Sequence, residues 1–256
     1  MKISEFYRDA ATLNLNGSIA ALFPAILIVG GNLSFFHDEK IFTFVIPFLF
    51  YSFVSFQIYL AKKTKSIWID KNMQFAPSHY QSIFSTNHLL IMYLNSTSPR
   101  LLLFYPDGYQ AGEIRKYKGK GIGLFSKMYA LYNAEQTVIG YFKISNEKIG
   151  VFSDKKEYIG CFRKSKRGIL KNKKQLLNSS GKIIAEVEGS NAFMDEKVMD
   201  KENKPISRLR RGWMPLEWDR YFPEPNTPVL SFTHDSIDQD KLLEMSCVIH
   251  EYFVVR

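Results

Sequence analysis

Two long uncharged segments near the start of the chain constrain its fold more than any other feature. Ile19–Phe36 has 18 residues without a charge, Ile41–Ala61 has 21, and four residues separate the two segments. A helix needs roughly 20 apolar residues to cross the hydrocarbon core of a bilayer. Pro24 and Pro47 lie inside the segments, and spanning helices tolerate proline. We therefore predict a transmembrane helical hairpin over residues 18–61, with a pair of buried core helices as the alternative.

Basic residues around the two segments predict the orientation of the hairpin. Lys2 and Arg8 precede the first segment and three lysines follow the second between positions 62 and 65, whereas the turn carries only Lys40. Lys and Arg near the ends of membrane spans stay on the cytoplasmic side. We therefore expect a two-span protein of the cell membrane, with both termini in the cytoplasm and residues 1–17 as a cytoplasmic lead.

The rest of the chain is long enough for one domain and is strongly basic. It has 195 residues after position 61, and a chain of that length buries a core of its own. Residues 1–61 carry three basic and four acidic side chains, so the net charge of +9 for the whole chain leaves +10 for this domain. Each Lys or Arg near an anionic membrane surface contributes about 1 kcal/mol of attraction. Anionic membrane lipids are therefore the expected partner, and nucleic acid is not expected for a membrane-tethered domain.

An internal repeat predicts that this domain is all-β. Each copy has an apolar pair, a polar turn, an isoleucine followed by a small or polar residue, and an apolar residue two positions further on. The copies are Tyr132–Phe142, Phe152–Phe162, Leu177–Val187 and Met199–Leu209, with Tyr105–Ile114 as a shortened fifth copy. Each copy is typical of a β-hairpin, and successive hairpins make an antiparallel meander that closes to remove its edges. The small residues that follow the isoleucines, such as Gly140 and Gly160, permit close backbone approach.

These patterns also set the expected domain boundaries. We place a juxtamembrane connector at residues 62–87, with a first strand at Ile67–Ile69, and the β domain at residues 88–256. The segment at residues 240–255 has a broad apolar surface that is typical of a helix. Such a helix has to bury that surface, and the interior of a curled sheet is the available place.

The repeat and the terminal helix together resemble the tubby C-terminal-like superfamily. The resemblance rests on Ile-Gly-x-Phe at Ile139–Phe142 and Ile159–Phe162 and on the apolar helix at Asp240–Val255. The family includes the tubby proteins, the plant LURP-one-related proteins and the phospholipid scramblases. It implies a closed barrel of about a dozen strands around the C-terminal helix. The segments Arg211–Pro215 and Asn226–Leu230 are similar to those of bacterial membrane-anchored members.

The chain departs from the family pattern in its terminal helix and in its ligand residues. The central helix of the family is apolar nearly all round, whereas this helix carries Glu244, His250 and Glu251. That polar face is expected either to be paired inside the barrel or to be exposed at an open seam. Tubby proteins bind phosphoinositides through basic residues, but no position of this chain matches those residues one by one.

The sharpest candidate for binding is a run of seven basic residues within twelve positions that contain no acid. The run predicts a surface for the phosphates of anionic headgroups, with a solvated loop between two hairpins as the alternative. Its members are Arg163, Lys164, Lys166, Arg167, Lys171, Lys173 and Lys174. A second, weaker candidate is the glycine-rich cluster of Arg115, Lys116, Lys118 and Lys120.

A possible interaction loop follows the last repeat copy, where arginines lie close to tryptophans. Its residues are Arg210, Arg211, Trp213 and Trp218. Cation–π stacking that orders the loop is the preferred interpretation, and a docking site for a protein is the alternative.

The sequence contains no catalytic signature, and we expect no metal or cofactor. Cys161 and Cys247 have no metal-ligand spacing with a histidine, so both are expected to be reduced, buried residues. The leading hypothesis is a membrane-anchored cytoplasmic module, not an enzyme, that recognises anionic phospholipid headgroups at the inner leaflet. A protein-interaction scaffold is the alternative, and phospholipid scrambling is a third possibility suggested by analogy.

Overall fold

The structure is a computed structural model that describes residues 1–73, 82–94, 98–119, 127–146, 148–167, 171–189, 194–212, 214–233 and 237–255. It divides into two compact units, Met1–Ala76 and Pro77–Arg256. The first unit is helical and the second contains a β-barrel.

Two long helices joined by a short turn make up the first unit. Helix α1 is Ile3–Gly31 and continues as a π-helical turn over Asn32–Phe36. Helix α2 is Ile46–Asn72 and follows a 3-10 segment over Glu39–Val45. Both continuous stretches are long and apolar enough to cross a membrane, judged by length and composition.

The helices extend further than the sequence patterns predict. Helix α1 begins at Ile3 and not after residue 17, and α2 continues into the predicted connector. The prediction of a strand at Ile67–Ile69 is therefore wrong. Residues 62–72 contain no Gly or Pro to end a helix. In addition, the Ser66 hydroxyl of α2 donates a 2.8 Å hydrogen bond to the Ser4 carbonyl of α1, which joins the polar ends of the two helices.

Small residues form the seam between α1 and α2. Ser4, Ala11, Ser18 and Ala25 lie seven residues apart along α1 and are buried. The Ser18 hydroxyl donates a 2.9 Å hydrogen bond to the Ser52 carbonyl of α2. Small side chains let two helix backbones approach closely, as is typical of helix pairs in membranes. Large apolar side chains lie on the outer faces, and four of them are 62% to 69% exposed: Phe23, Ile26, Phe50 and Phe53.

Twelve antiparallel strands are described in the second unit, and consecutive strands pair with each other. They are β1 His88–Leu94, β2 Arg100–Phe104, β3 Gln110–Lys116, β4 Met128–Asn133, β5 Val138–Ser145, β6 Lys148–Ser153, β7 Tyr158–Arg167, β8 Lys171–Asn178, β9 Ile183–Gly189, β10 Asp195–Asp200, β11 Pro205–Arg210 and β12 Val229–Phe232. Strand β1 also pairs with β12, and the sheet closes into a barrel. The closure confirms the predicted meander without free edges.

The five repeat copies are five hairpins with the same turn geometry. In each turn, the carbonyl of the first residue accepts a hydrogen bond from the N–H three residues on, and its own N–H donates to the carbonyl four residues on. The residue three positions on has a positive φ, between 59° and 83°. Side-chain oxygens of Asn133, Asn178 and Asp200 accept further hydrogen bonds from backbone N–H groups of their turns. This geometry explains why the repeat favours Asn, Asp or Ser at the start of the turn.

The C-terminal helix fills the interior of the barrel. It consists of α3 Asp238–Glu244, α4 Ser246–His250 and a π-helical turn over Glu251–Val255, which confirms the helix predicted at residues 240–255. Apolar side chains such as Leu242 and Val248 form one core with buried residues of all twelve strands. The barrel is therefore packed around the helix and shares its core with it.

Two glycines lie where a neighbouring strand or the interior helix comes very close to the backbone of the barrel wall. A methyl group on Gly160 would lie 2.2 Å from the Leu177 carbonyl oxygen of the neighbouring strand. A methyl group on Gly140 would lie 2.4 Å from the Leu242 side chain of α3. The close approach predicted for these two glycines is confirmed, and Gly140 sets how near the helix comes to the wall.

Successive connections between the strands of this meander lie at opposite ends of the barrel. The five repeated turns share one end, which we call the turn end. The β3–β4, β5–β6 and β7–β8 connections lie at the other end, which we call the basic end for the residues described below. The interior helix starts near the turn end, where Leu242 lies against Gly140, and finishes near the basic end, where His250 lies beside Glu196 at the start of β10.

Candidate site at the basic end of the barrel

The β7–β8 hairpin extends beyond its neighbours at the basic end. Pairing between β6 and β7 begins at Lys148 and Arg163, and pairing between β8 and β9 begins at Lys174. Residues 164–167 of β7 pair with β8 beyond the start of β6. We call residues 163–174 the basic arm, because they contain all seven residues predicted to bind lipid. The structure describes only the backbone of Lys166, Arg167 and Lys171, which lie on the paired strands of the arm.

The outward side of the arm is a hydrogen-bonded row of polar side chains. The Arg163 guanidinium donates to Gln175 Oε1 at 3.4 Å, and Gln175 Nε2 donates to Glu186 Oε1 at 3.0 Å. Lys173 Nζ lies 3.3 Å from the same Glu186 oxygen. An open depression beside this row is lined by Arg163, by Lys148, by Ser145 at the end of β5 and by Asn146 in the β5–β6 connection. Two cations thus line a concave surface that is accessible to solvent.

The inward side of the arm carries a different pair of lysines. Lys164 and Lys174 are direct cross-strand partners, so their side chains share one face of the sheet. Lys174 Nζ forms an ion pair with the Glu196 carboxylate of β10. The Glu196 side chain is only 3% exposed, and burial raises its pKa, although Lys174 opposes that effect. The four basic residues whose side chains are described therefore do not form one surface, because adjacent residues of a strand point to opposite faces.

The inward lysines lie next to the end of the interior helix. His250 is 3% exposed, and its ring centroid lies 4.6 Å from that of Phe162. Burial, assisted by the charges of Lys174 and Lys164, lowers the pKa of His250 to about 4, so the ring is neutral near pH 7. Among the described residues, neither ring nitrogen of His250 has a hydrogen-bond partner. Glu196 completes this cluster, but the sequence analysis did not identify it. Its position two residues before the buried Val198 indicates an inward side chain, because alternate residues of a strand share one face.

The polar face of the interior helix lies inside the barrel and not at an open seam. Glu244 is 2% exposed, and within the described part of the chain its Oε2 atom has no hydrogen-bond partner. Burial raises the pKa of Glu244 to about 7, and the nearby Ser207 hydroxyl offsets part of that effect. Of the two alternatives left by the sequence, the enclosed one is therefore correct, but the pairing is incomplete.

The second basic cluster lies at the same end of the barrel as the basic arm. Arg115 contacts the buried Glu113 at 2.6 Å and stacks 4.1 Å over the Tyr132 ring, whereas Lys116 and Lys118 are exposed. Lys120 lies outside the described residues. The β3–β4 and β7–β8 hairpins are four strands apart around the barrel, roughly 20 Å along the rim.

The two ends of the barrel differ in charge. Residues 115–127 and 163–174, which surround the two hairpin tips at the basic end, contain twelve Lys or Arg and no Asp or Glu. The five repeated turns at the opposite end contain six acidic residues and five lysines. A strong positive potential is therefore expected at one end only.

The residues of the possible interaction loop are spread over the barrel wall and the segment that follows it. Arg210 ends β11, Arg211 is exposed, and Trp213 lies outside the described residues. The Trp218 ring is half-buried, with its centroid 5.3 Å from the His88 ring. Trp218 thus packs against the start of β1, which gives it a structural role in holding this segment on the barrel.

No family model matches the chain, and no curated protein matches it. The chain is similar to an X-ray structure of a protein from Arabidopsis thaliana, with 11% sequence identity and a TM-score of 0.43. The match covers 64% of this chain and 89% of that chain.

Proposed function

We propose that this protein is a membrane-anchored module of tubby-like type whose barrel binds anionic phospholipid headgroups at the cytoplasmic face. The two long helices are the proposed anchor, with both termini in the cytoplasm. Their length, their apolar composition and the exposed aromatic side chains on their outer faces support this assignment. The proposal assigns binding and not catalysis to the barrel and draws on no cofactor.

The observation that carries the proposal is the gathering of two separate basic stretches at one end of the barrel. Neither stretch contains an acid, so only acids from other segments can neutralise its charges. Lys173, Lys174 and Arg115 already have acidic partners, but Lys116, Lys118 and Lys148 are exposed. A flat anionic surface interacts with many such charges at once, at about 1 kcal/mol for each.

The depression beside the basic arm supplies a place for an individual headgroup. Lys148 and Arg163 are cross-strand partners on β6 and β7, so their cationic groups flank one point of the surface. The guanidinium presents forked donors that match phosphate oxygens, and the ammonium adds a second positive charge. This geometry favours a phosphate monoester or diester over a single carboxylate.

Vesicle co-sedimentation of the second unit, residues 77–256, tests the proposal. The protein is compared on neutral phosphatidylcholine vesicles and on vesicles containing phosphatidylserine, at about 0.05 M and about 0.5 M salt, between which the Debye length falls roughly threefold. The proposal expects binding to the anionic vesicles at low salt, and much weaker binding at high salt.

A matched pair of triple variants separates the basic end from net charge. Lys166→Glu, Arg167→Glu and Lys171→Glu reverse three charges on the arm, and Lys155→Glu, Lys182→Glu and Lys201→Glu reverse three at the turn end. Both variants change the net charge by the same amount, but only the first should abolish sedimentation with anionic vesicles. Equal losses in the two variants would show non-specific attraction, and no binding by the unaltered protein would favour a protein partner.

A further inference from the structure

Three potential metal ligands converge where the interior helix ends against the barrel wall. His250 and Glu196 are each 3% exposed, and Glu251 is half-buried. One ring nitrogen of His250 and one carboxylate oxygen from each acid lie within 4.8 Å of one another. The three residues come from two elements, the C-terminal helix and β10, which are far apart in sequence.

Three polar atoms of the two buried members have no hydrogen-bond partner among the described residues. Both ring nitrogens of His250 and the Oε2 atom of Glu196 make no hydrogen bond to any described residue. Leaving a buried polar atom without a partner costs about 1–3 kcal/mol, and more for a charged group. Lys174 binds the other oxygen of Glu196, Oε1, so Lys174 does not occupy the unpartnered Oε2 atom.

We propose that His250, Glu196 and Glu251 bind one divalent transition-metal ion, with zinc as the best match. Zinc accepts imidazole nitrogen and carboxylate oxygen at about 2.0–2.2 Å, and three protein ligands leave a fourth position for water. Ligands of one tetrahedral ion at those distances are about 3.4 Å apart, so the present separations need small side-chain adjustments.

The surroundings of the three ligands fit a bound cation better than a bound anion. Two carboxylates face the site, and they repel an anion. The ion pair of Lys174 with Glu196 corresponds to the outer hydrogen bond that ligating carboxylates usually make, which fixes the orientation of the ligand. The nearby positive charges of Lys174 and Lys164 oppose the ion, so its affinity is expected to be lower than that of a site with cysteine ligands.

The bound ion would tie the end of the interior helix to the barrel wall. His250 and Glu251 belong to the helix and Glu196 to β10, so one ion cross-links two elements that otherwise contact through apolar packing. Binding to the folded state alone stabilises it by mass action. The inference does not rest on the proposed lipid function, because its three residues lie at the inner side of the basic end and not on the outward side of the basic arm.

Zinc titration of the full chain in neutral detergent micelles, after removal of metals with a chelator, tests the site. Calorimetry should detect one zinc ion per chain, and zinc should raise the thermal unfolding temperature. His250→Gln and Glu251→Gln should each remove the binding and the temperature shift. Glu251 is half-buried, so its isosteric replacement should leave the fold intact, which far-UV circular dichroism checks.

Two control variants locate the binding. His88→Gln changes a different histidine, which is half-buried, and Glu188→Gln changes an exposed acid on β9; both variants should bind zinc as the unaltered chain does. The inference is overturned if the unaltered chain binds no zinc, or if His250→Gln and Glu251→Gln bind it as well as the controls do. Because no anionic lipid is present, either result leaves the lipid proposal to its own test.

Discussion

Replacement of Glu244 by Gln should make the protein more stable, and by an amount that depends on pH. The carboxyl is 2% exposed inside the barrel, and burial raises its pKa from the ordinary 4.5 to about 7. The folded state therefore holds the Glu244 proton over a pH range in which the unfolded state has lost it. A group of this kind stabilises the protein fully below pH 4.5, and its contribution is lost as pH rises through 7.

The magnitude follows from the difference between the two pKa values. One pKa unit corresponds to about 1.4 kcal/mol, so the charged Glu244 lowers the free energy of unfolding by about 3 kcal/mol above pH 7. Gln has nearly the same shape and no charge at any pH. The difference in unfolding free energy between Glu244→Gln and the unaltered protein should be near zero at pH 4.5 and approach about 3 kcal/mol at pH 8.

Denaturant unfolding of both proteins, followed by tryptophan fluorescence between pH 4.5 and pH 8, measures this difference. Subtracting the two curves cancels groups that titrate identically in both proteins, including His250. Glu188→Gln, at an exposed position on β9, is the matched control and should show no trend with pH. If the difference in unfolding free energy between Glu244→Gln and the unaltered protein stays constant over this pH range, or falls as pH rises, the argument is refuted. The charged Glu244 would then be fully stabilised by its partners inside the barrel.

Three further changes test the barrel itself. Gln136→Gly should raise the unfolding free energy by up to about 1 kcal/mol, because residue 136 has a φ of 63° that glycine adopts without strain; Gln136→Ala should give no such gain in denaturant unfolding. Gly160→Ala should lower the thermal unfolding temperature and the free energy of unfolding, the latter by about 1–3 kcal/mol or more, because the added methyl meets the Leu177 carbonyl at 2.2 Å. An unchanged unfolding temperature would mean that β7 and β8 move apart at this position without loss of stability. Asp195→Asn should cost no more than about 1 kcal/mol at neutral pH, because both residues of its two-pronged 2.7 Å ion pair with Arg208 are about a third exposed. Arg208 lowers the pKa of Asp195, so this loss should disappear as pH falls through the ordinary range of a carboxyl, and a loss that persists in acid would contradict the ion-pair explanation.

The repeat explains why so much of the barrel was predictable from sequence. Each hairpin places a turn-forming residue such as Asn133 or Asp200 at the same position, and those side chains act through bonds within five residues. Local chemistry of this kind can be read directly from a sequence. The interior helix was predictable for a related reason, since the interior of the curled sheet was the available place to bury its apolar surface.

The features that the sequence did not reveal depend on contacts between distant residues. The seven basic residues of the arm look like one cluster in sequence, but Lys173 and Lys174 have different acidic partners on opposite faces of the sheet. Glu196 meets His250 only because the helix returns through the barrel, and nothing local marks that meeting. The ends of the two long helices were misjudged because polar residues such as Ser66 find partners across the helix pair.

The order of elements along the chain has a consequence for how the barrel forms during synthesis. Closing the sheet pairs His88 with Ser231, and the helix that fills the interior follows all twelve described strands. Until that helix has left the ribosome, the inward side chains of the twelve described strands lack the helix that completes their core. Contacts between residues so far apart form slowly, and unfilled apolar surface promotes aggregation. The nascent barrel is therefore expected to need protection by a chaperone until its final helix inserts.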